Sequence, residues 1–205
     1  MEVKSRRAEH IQDTQAAVLR AARELFAAKG YAGTGTEEIV ARARVTRGAL
    51  YHHFRDKADL FRAVMQAVAA DLAERLVAQQ LSRATGAVSA WDQLREGFQA
   101  FLDACTGSDF QRIVLVDGPA VLGHGAWTDL VEHHGLGLLR ALLRRAIDDG
   151  QIDPLPVDPL ARLLAALIGE ASLYIAQATD PARARREAGA ALDRILSGLR
   201  PARSR

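Results

Sequence analysis

The chain has 205 residues, 49% of them apolar and 25% charged, with a formal net charge of +2 at pH 7. That is the composition of a globular chain rather than a disordered or collagen-like one, and a single cysteine, Cys105, excludes an internal disulfide. No apolar run reaches the roughly 18 residues of a membrane span, and the first residues are charged and polar, so a cytoplasmic protein without a membrane partner is expected.

Apolar residues recur at three- and four-residue spacing along almost the whole chain, and no alternating strand pattern is seen. The first helix is expected over residues 14–29, with Val18, Ala22, Leu25 and Phe26 on one face and Gly30 as its stop. An arm carrying Lys4, Arg6 and Arg7 is expected to precede it, outside any helix. A second, short helix begins at Thr36, whose hydroxyl can cap it, while Glu37 and Glu38 favour its positive end. After a tight turn, a third helix covers residues 47–54 and is capped by Thr46. Asp56 caps a fourth, with Asp59 reaching back in a capping-box-like role, and this helix continues to about residue 80.

A Gly/Ser/Thr-rich break over residues 82–89 leads into a fifth helix striped by Trp91, Leu94, Phe98, Phe101 and Cys105. A short helix is expected near residues 110–116, and residues 117–125 are too rich in Gly and Pro for a long one. Helices over residues 127–149, 158–178 and 181–199 complete an all-α chain of about nine helices. Pro181 opens the last of them, at a favoured first-turn position.

Charge divides unevenly along this plan. Residues 1–60 hold eleven Lys/Arg against eight Asp/Glu, residues 61–180 nine against fifteen, and the remainder seven against two. A basic head on an acidic body suits a DNA-binding domain joined to a sensing domain. The third helix fits that head. Gly48 and Ala49 let its backbone sit deep in a major groove, where the Ala49 methyl can meet a thymine methyl and Arg47 can make a bidentate contact with guanine. Thr46 can reach a phosphate or base, and Tyr51 and His52 can reach the backbone. Thr36 and Lys57 lie at helix N-termini, which favour phosphate.

Residues 34–60 form a helix-turn-helix. Thr36, Ile39, Ala43, Val45, Thr46, Gly48, Leu50, Tyr51, His53, Phe54, Lys57 and Leu60 fall at fixed spacings that resemble the signature of the TetR family of bacterial transcription regulators. One departure is Arg44, where the family has Gly; at positive φ it costs about 1 kcal/mol, and it adds a positive charge beside the groove. The resemblance implies a DNA-binding domain over residues 1–58 and a ligand-binding and dimerisation domain over residues 59–205.

It also implies a body in which helices four to eight enclose a small-molecule pocket and helices eight and nine pair with a second chain. Candidate apolar walls are Met65, Trp91, Phe98, Phe101, Cys105, Phe110, Trp127 and Tyr174, with His134 and Glu170 as polar anchors on apolar faces. Candidate pairing residues are Leu160, Leu164, Leu167 and Ala171 on helix eight, with Leu192, Ile195, Leu196 and Leu199 on helix nine. The expected partners are an operator duplex, a hydrophobic or aromatic effector and a second copy of the chain.

His124, His133 and His134 with Asp117 or Glu132 match no metal-site spacing, and no nucleophile elbow or phosphate loop is present. No metal, cofactor or catalytic set is therefore expected, and the chain does not read as an enzyme. The alternative is a regulator or activator that binds DNA without a ligand.

Overall fold

The computed structural model describes residues 2–83, 88–107, 109–123, 125, 129–130 and 135–201, and among them there is helix but no strand. The chain divides into two compact units. One holds residues 1–68 and 108–126, the other residues 69–107 and 127–205.

Four helices open the chain: α1 (Glu2–Lys29), α2 (Thr36–Ala43), α3 (Arg47–His53) and α4 (Lys57–Arg83). The start of α1 corrects the sequence expectation, because the arm with Lys4, Arg6 and Arg7 is part of the helix. Residues 2–13 contain no Gly or Pro and are rich in Glu, Lys, Arg and Gln, so nothing local stops the helix from extending. Gly30 ends it, at φ +72°, a conformation that costs other residues energy. The buried Thr34 then ties the following turn down, donating its hydroxyl to Gly30 O at 2.8 Å and Leu25 O at 3.2 Å.

Val18, Ala22, Leu25 and Phe26 are buried as their spacing required, with Ile39, Leu50, Phe54, Leu60 and Phe61. Phe61 meets both Phe26 and Tyr31 edge-on at 5.1 Å between ring centres. The helix starts follow local chemistry. Thr46 Oγ1 accepts from Ala49 N–H at 3.2 Å. Asp56 Oδ1 accepts from Asp59 N–H at 2.8 Å, capping α4, and Asp59 Oδ2 reaches back one residue further than a capping box would, to accept from Arg55 N–H at 3.1 Å. Thr36 is a correction. The cap residue of α2 is Gly35, and Thr36 is the first helical residue with its hydroxyl turned to Glu37 Oε2 at 3.4 Å.

The first unit runs past residue 58 because Leu60, Phe61, Val64 and Val68 of α4 belong to its core. It also takes in a distant segment. Residues Phe110–Asp117 form a π-helical stretch that runs into α6 (Gly118–Leu122). Arg23 clamps Asp109 with two nitrogens at 2.7 and 3.1 Å, and Asp117 accepts from Tyr31 N–H at 2.7 Å. Burial pushes the Asp109 carboxyl up, but the Arg23 guanidinium and the Phe110 N–H outweigh it and hold it below the ordinary range.

The second unit holds the remainder of α4 with α5 (Ala90–Ala104), α7 (Leu136–Asp148), α8 (Val157–Gln177) and α9 (Pro181–Ser197). Its core gathers Trp91, Leu94, Phe98, Leu102, Leu143, Leu164, Ile168, Leu192 and Leu196. Ser89 caps α5 through Asp92 N–H at 3.0 Å, and Asp180 caps α9 through Arg183 N–H at 2.9 Å. By length and composition α8 is apolar enough to cross a membrane; here one of its faces is buried in this core.

Candidate functional site

The helix-turn-helix follows from local rules. Arg44 closes α2 at φ 56° and ψ 42°, donating its N–H to Ala41 O at 3.2 Å, and is the only non-glycine residue at positive φ among those described. The left-handed turn expected at this position is present, with its exposed guanidinium beside α3 in sequence. Leu50 is fully buried and Phe54 nearly so, and together they anchor α3. Thr46, Arg47, Gly48, Tyr51 and His52 are then exposed, with Ala49 half-buried.

Gly48 carries no strain and no crowding of its own. A Cβ there would find only Thr46 Oγ1, 3.9 Å away. Glycine inside a helix costs about 0.5–1 kcal/mol relative to alanine, and nothing within the protein calls for it at this position. Arg47 Nη1 lies 3.1 Å from Glu37 Oε1, and its Cζ sits 5.6 Å from the Tyr51 ring centre. The sequence reading gave Glu37 only a role in the helix dipole; its approach to Arg47 depends on how α2 packs against α3.

Lys57, expected at a phosphate, donates to Tyr31 O at 2.6 Å and lies 4.2 Å over the Tyr31 ring. Burial lowers its pKa from the ordinary lysine value. Thr36 is half-buried at the start of α2.

Residues expected around a pocket divide into several groups. Met65 and Phe110 are buried in the first unit; Trp91, Phe98 and Cys105 are buried in the second, with Phe101 half-buried against them. Trp127 and His134 lie outside the described residues. Glu170 and Tyr174 are corrections. Both were expected on an inner face, yet Glu170 is exposed and Tyr174 is 52% exposed. The reason is helical phase. The buried face of α8 is Ala161, Leu164, Ala165, Ile168, Ser172 and Ile175, and residues 163, 170 and 174 fall on the other side.

Cys105 Sγ lies 3.2 Å from Phe101 O and 3.3 Å from Ser172 Oγ, which itself donates to Ile168 O at 2.6 Å. Burial pushes this thiol up to about 11, so it is protonated and unreactive at neutral pH. A cleft of about 10 Å³ lies between the end of α4 and α5, lined by residues including Leu76, Val88, Gly97 and Ala100. It has room for about one water.

Of the expected pairing residues, Leu164, Leu192 and Leu196 are buried within their own chain, and Leu196 has no surface left to give a partner. Leu160, Leu167, Ala171 and Leu199 are half-buried against the same core. Ile195 is 51% exposed, and Leu163 of α8 is 69% exposed. Tyr174 joins them, its hydroxyl 3.3 Å from Glu187 Oε2 of α9. Among the described residues no three His, Cys, Asp or Glu side chains come together as a metal would need, and His124, His133 and His134 lie outside them.

Residues 18–64 match the family described as bacterial regulatory proteins, tetR family, and residues 91–199 match the tetracyclin repressor-like C-terminal domain. A TetR-family transcriptional regulator from Pectobacterium atrosepticum has a crystal structure that superimposes with a TM-score of 0.84 at 34% identity, over 95% of this chain and 97% of that one. The transposon Tn10 TetC protein of Escherichia coli is 26% identical over 80% of this chain and 81% of its own length. The HTH-type transcriptional regulator TtgR of Pseudomonas putida is 40% identical over 29% of each chain.

Proposed function

We infer the function from the premise that this chain belongs to the TetR family of bacterial transcription regulators and is itself a transcriptional regulator. We propose that it is a repressor, acting in the cytoplasm, that binds a palindromic operator as a homodimer through residues 46–52 and leaves it when an effector binds the body. The observation that carries the DNA reading is the exposed first turn of α3. A glycine that the fold does not need sits between an exposed arginine and an exposed tyrosine, on a helix pinned from behind by Leu50. Such a turn admits close approach of a base edge, and Arg47 supplies the fork that reads guanine.

The pairing surface is the outer side of α8 and α9. Leu163 and Ile195 leave large apolar area in water, which a second copy of the same face would remove. Two-fold pairing requires an operator whose half-sites lie about 34–36 Å apart. The effector is a small hydrophobic or aromatic molecule, supported by the Trp91, Phe98 and Phe101 side of α5. Effector and operator then favour different arrangements of the dimer, and each weakens the other by the same factor; a coupling of about 1–3 kcal/mol gives roughly 5- to 150-fold.

Selection of duplexes from a random library, with sedimentation of the free protein, tests this reading. An enriched inverted repeat and a dimer are expected; no enrichment, or a monomer, overturns it. A second reading is regulation of DNA without an effector. A thermal screen of lipophilic and aromatic compounds separates the two. An effector at 100 times its Kd stabilises the folded protein by about 2.7 kcal/mol and raises its Tm.

A further inference from the structure

We propose that Glu37 is a positioning residue for base readout: its carboxylate on α2 holds the Arg47 guanidinium of α3 in the orientation that contacts the operator. This rests on the reading of α3 as the recognition helix. The Arg47 head is held from two directions, by Glu37 Oε1 at 3.1 Å and by the face of Tyr51 at 5.6 Å. Glu37 is steadied in turn by the Thr36 hydroxyl, 3.4 Å from its other oxygen.

The pair has little to do for the fold itself. Arg47 and Glu37 are 66% and 72% exposed, and an ion pair so open to solvent adds little stability. The neighbouring acid serves differently, since Glu38 pairs with Lys29 and so links α2 to α1. Moreover, an exposed carboxylate on a surface that meets phosphate repels every duplex, whatever its sequence. Glu37 therefore weakens non-specific binding while restricting a long, rotamer-rich side chain to the geometry needed for a bidentate contact. Ordering such a side chain before binding lowers the entropy lost on binding, and the gain is realised only at the base that Arg47 reads.

The experiment uses the full chain and three duplexes. One is the selected operator; the second differs at the base whose preference Arg47→Ala abolishes; the third is an unrelated sequence of equal length. For Glu37→Ala, discrimination between the first two should fall about two- to fivefold, while affinity for the third rises. Glu37→Gln keeps an oxygen that accepts from Arg47, so it should retain most of the discrimination and still bind the third duplex more tightly. In the Arg47→Ala background, Glu37→Ala should change discrimination no further.

A discrimination ratio unchanged in Glu37→Ala overturns the inference, as does any difference in discrimination between the double variant and Arg47→Ala alone. Should Arg47→Ala itself leave base preference intact, the reading of α3 fails and the inference with it. Relaxed preference in Arg47→Ala beside an unchanged Glu37→Ala defeats the inference alone.

Discussion

The helix α3 and the α8–α9 layer obey the same helical rule with opposite outer chemistry. In each, a fully buried leucine sits one residue from a large exposed side chain: Leu50 beside Tyr51, and Leu196 beside Ile195. Outside α3 the exposed groups are Thr46, Arg47, Tyr51 and His52, all able to hydrogen-bond. Outside α8 and α9 they include Leu163 and Ile195, which cannot. An outer face that offers donors on a pinned helix suits phosphate and base edges, whereas one that offers bare aliphatic area suits another protein surface. Burial explains what holds each helix in place; the exposed residue types indicate what each one meets.

The largest expected effect comes from spoiling the apolar face alone. Leu163→Glu with Ile195→Glu should leave each chain folded, because both side chains are in water, but dissociate the dimer. Each uncompensated charge buried in a dry interface costs about 3–5 kcal/mol. Sedimentation of this double variant is decisive, and one that stays dimeric places the pairing elsewhere.

Next in size are the two buried anchors. Leu196→Ala and Leu50→Ala should each lower stability by about 2–5 kcal/mol in denaturant titrations. Ile195→Ala and Tyr51→Ala should change stability far less, and equal losses within either pair would erase the contrast between inner and outer faces.

On the DNA side, Arg47→Ala should cost about 1–3 kcal/mol at the selected operator and relax preference at one base. Lys57→Ala should weaken all duplexes alike and reduce the salt slope by about one. Its ammonium is also held by Tyr31 O, so a Lys57→Ala variant with an unchanged salt slope would make this lysine a structural tie.

The smallest effect concerns acid. Asp109 is held below the ordinary carboxylate range by Arg23, so in the folded protein this pair stabilises fully above roughly pH 4 and is lost as pH falls through the lowered value. The pair is about a third exposed. Wild type should therefore exceed Asp109→Asn by at most about 1 kcal/mol at neutral pH, and the two should converge as pH falls through the lowered Asp109 value. A constant gap across that window would show that the charge on Asp109 does not matter.

What could be read from the sequence was local. The caps at Thr46 and Asp56 and the stop at Gly30 each depend on residues within about four positions, the reach of a helical hydrogen bond. The helix-turn-helix was legible for the same reason, since its signature is a set of short fixed spacings. The start of α1 is not marked by an apolar stripe: residues 2–13 extend the helix on propensity alone, without the periodicity that signals a buried face. In α8 the apolar residues were too many to point one way, so Glu170 and Tyr174 were put on the wrong face.

The sequence by itself determined the all-helical class and the position of the helix-turn-helix, because propensity, capping and periodicity act along a few turns of chain. Tertiary structure decided the rest. It placed residues 109–122 with the first unit through Arg23–Asp109 and Tyr31–Asp117, contacts between residues 86 apart in sequence. It brought Glu37 to Arg47, and it left Leu163 and Ile195 outside while burying Leu192 and Leu196. Which side of an apolar helix faces inward is set by the surfaces that pack against it, and those come from parts of the chain that local spacing does not connect.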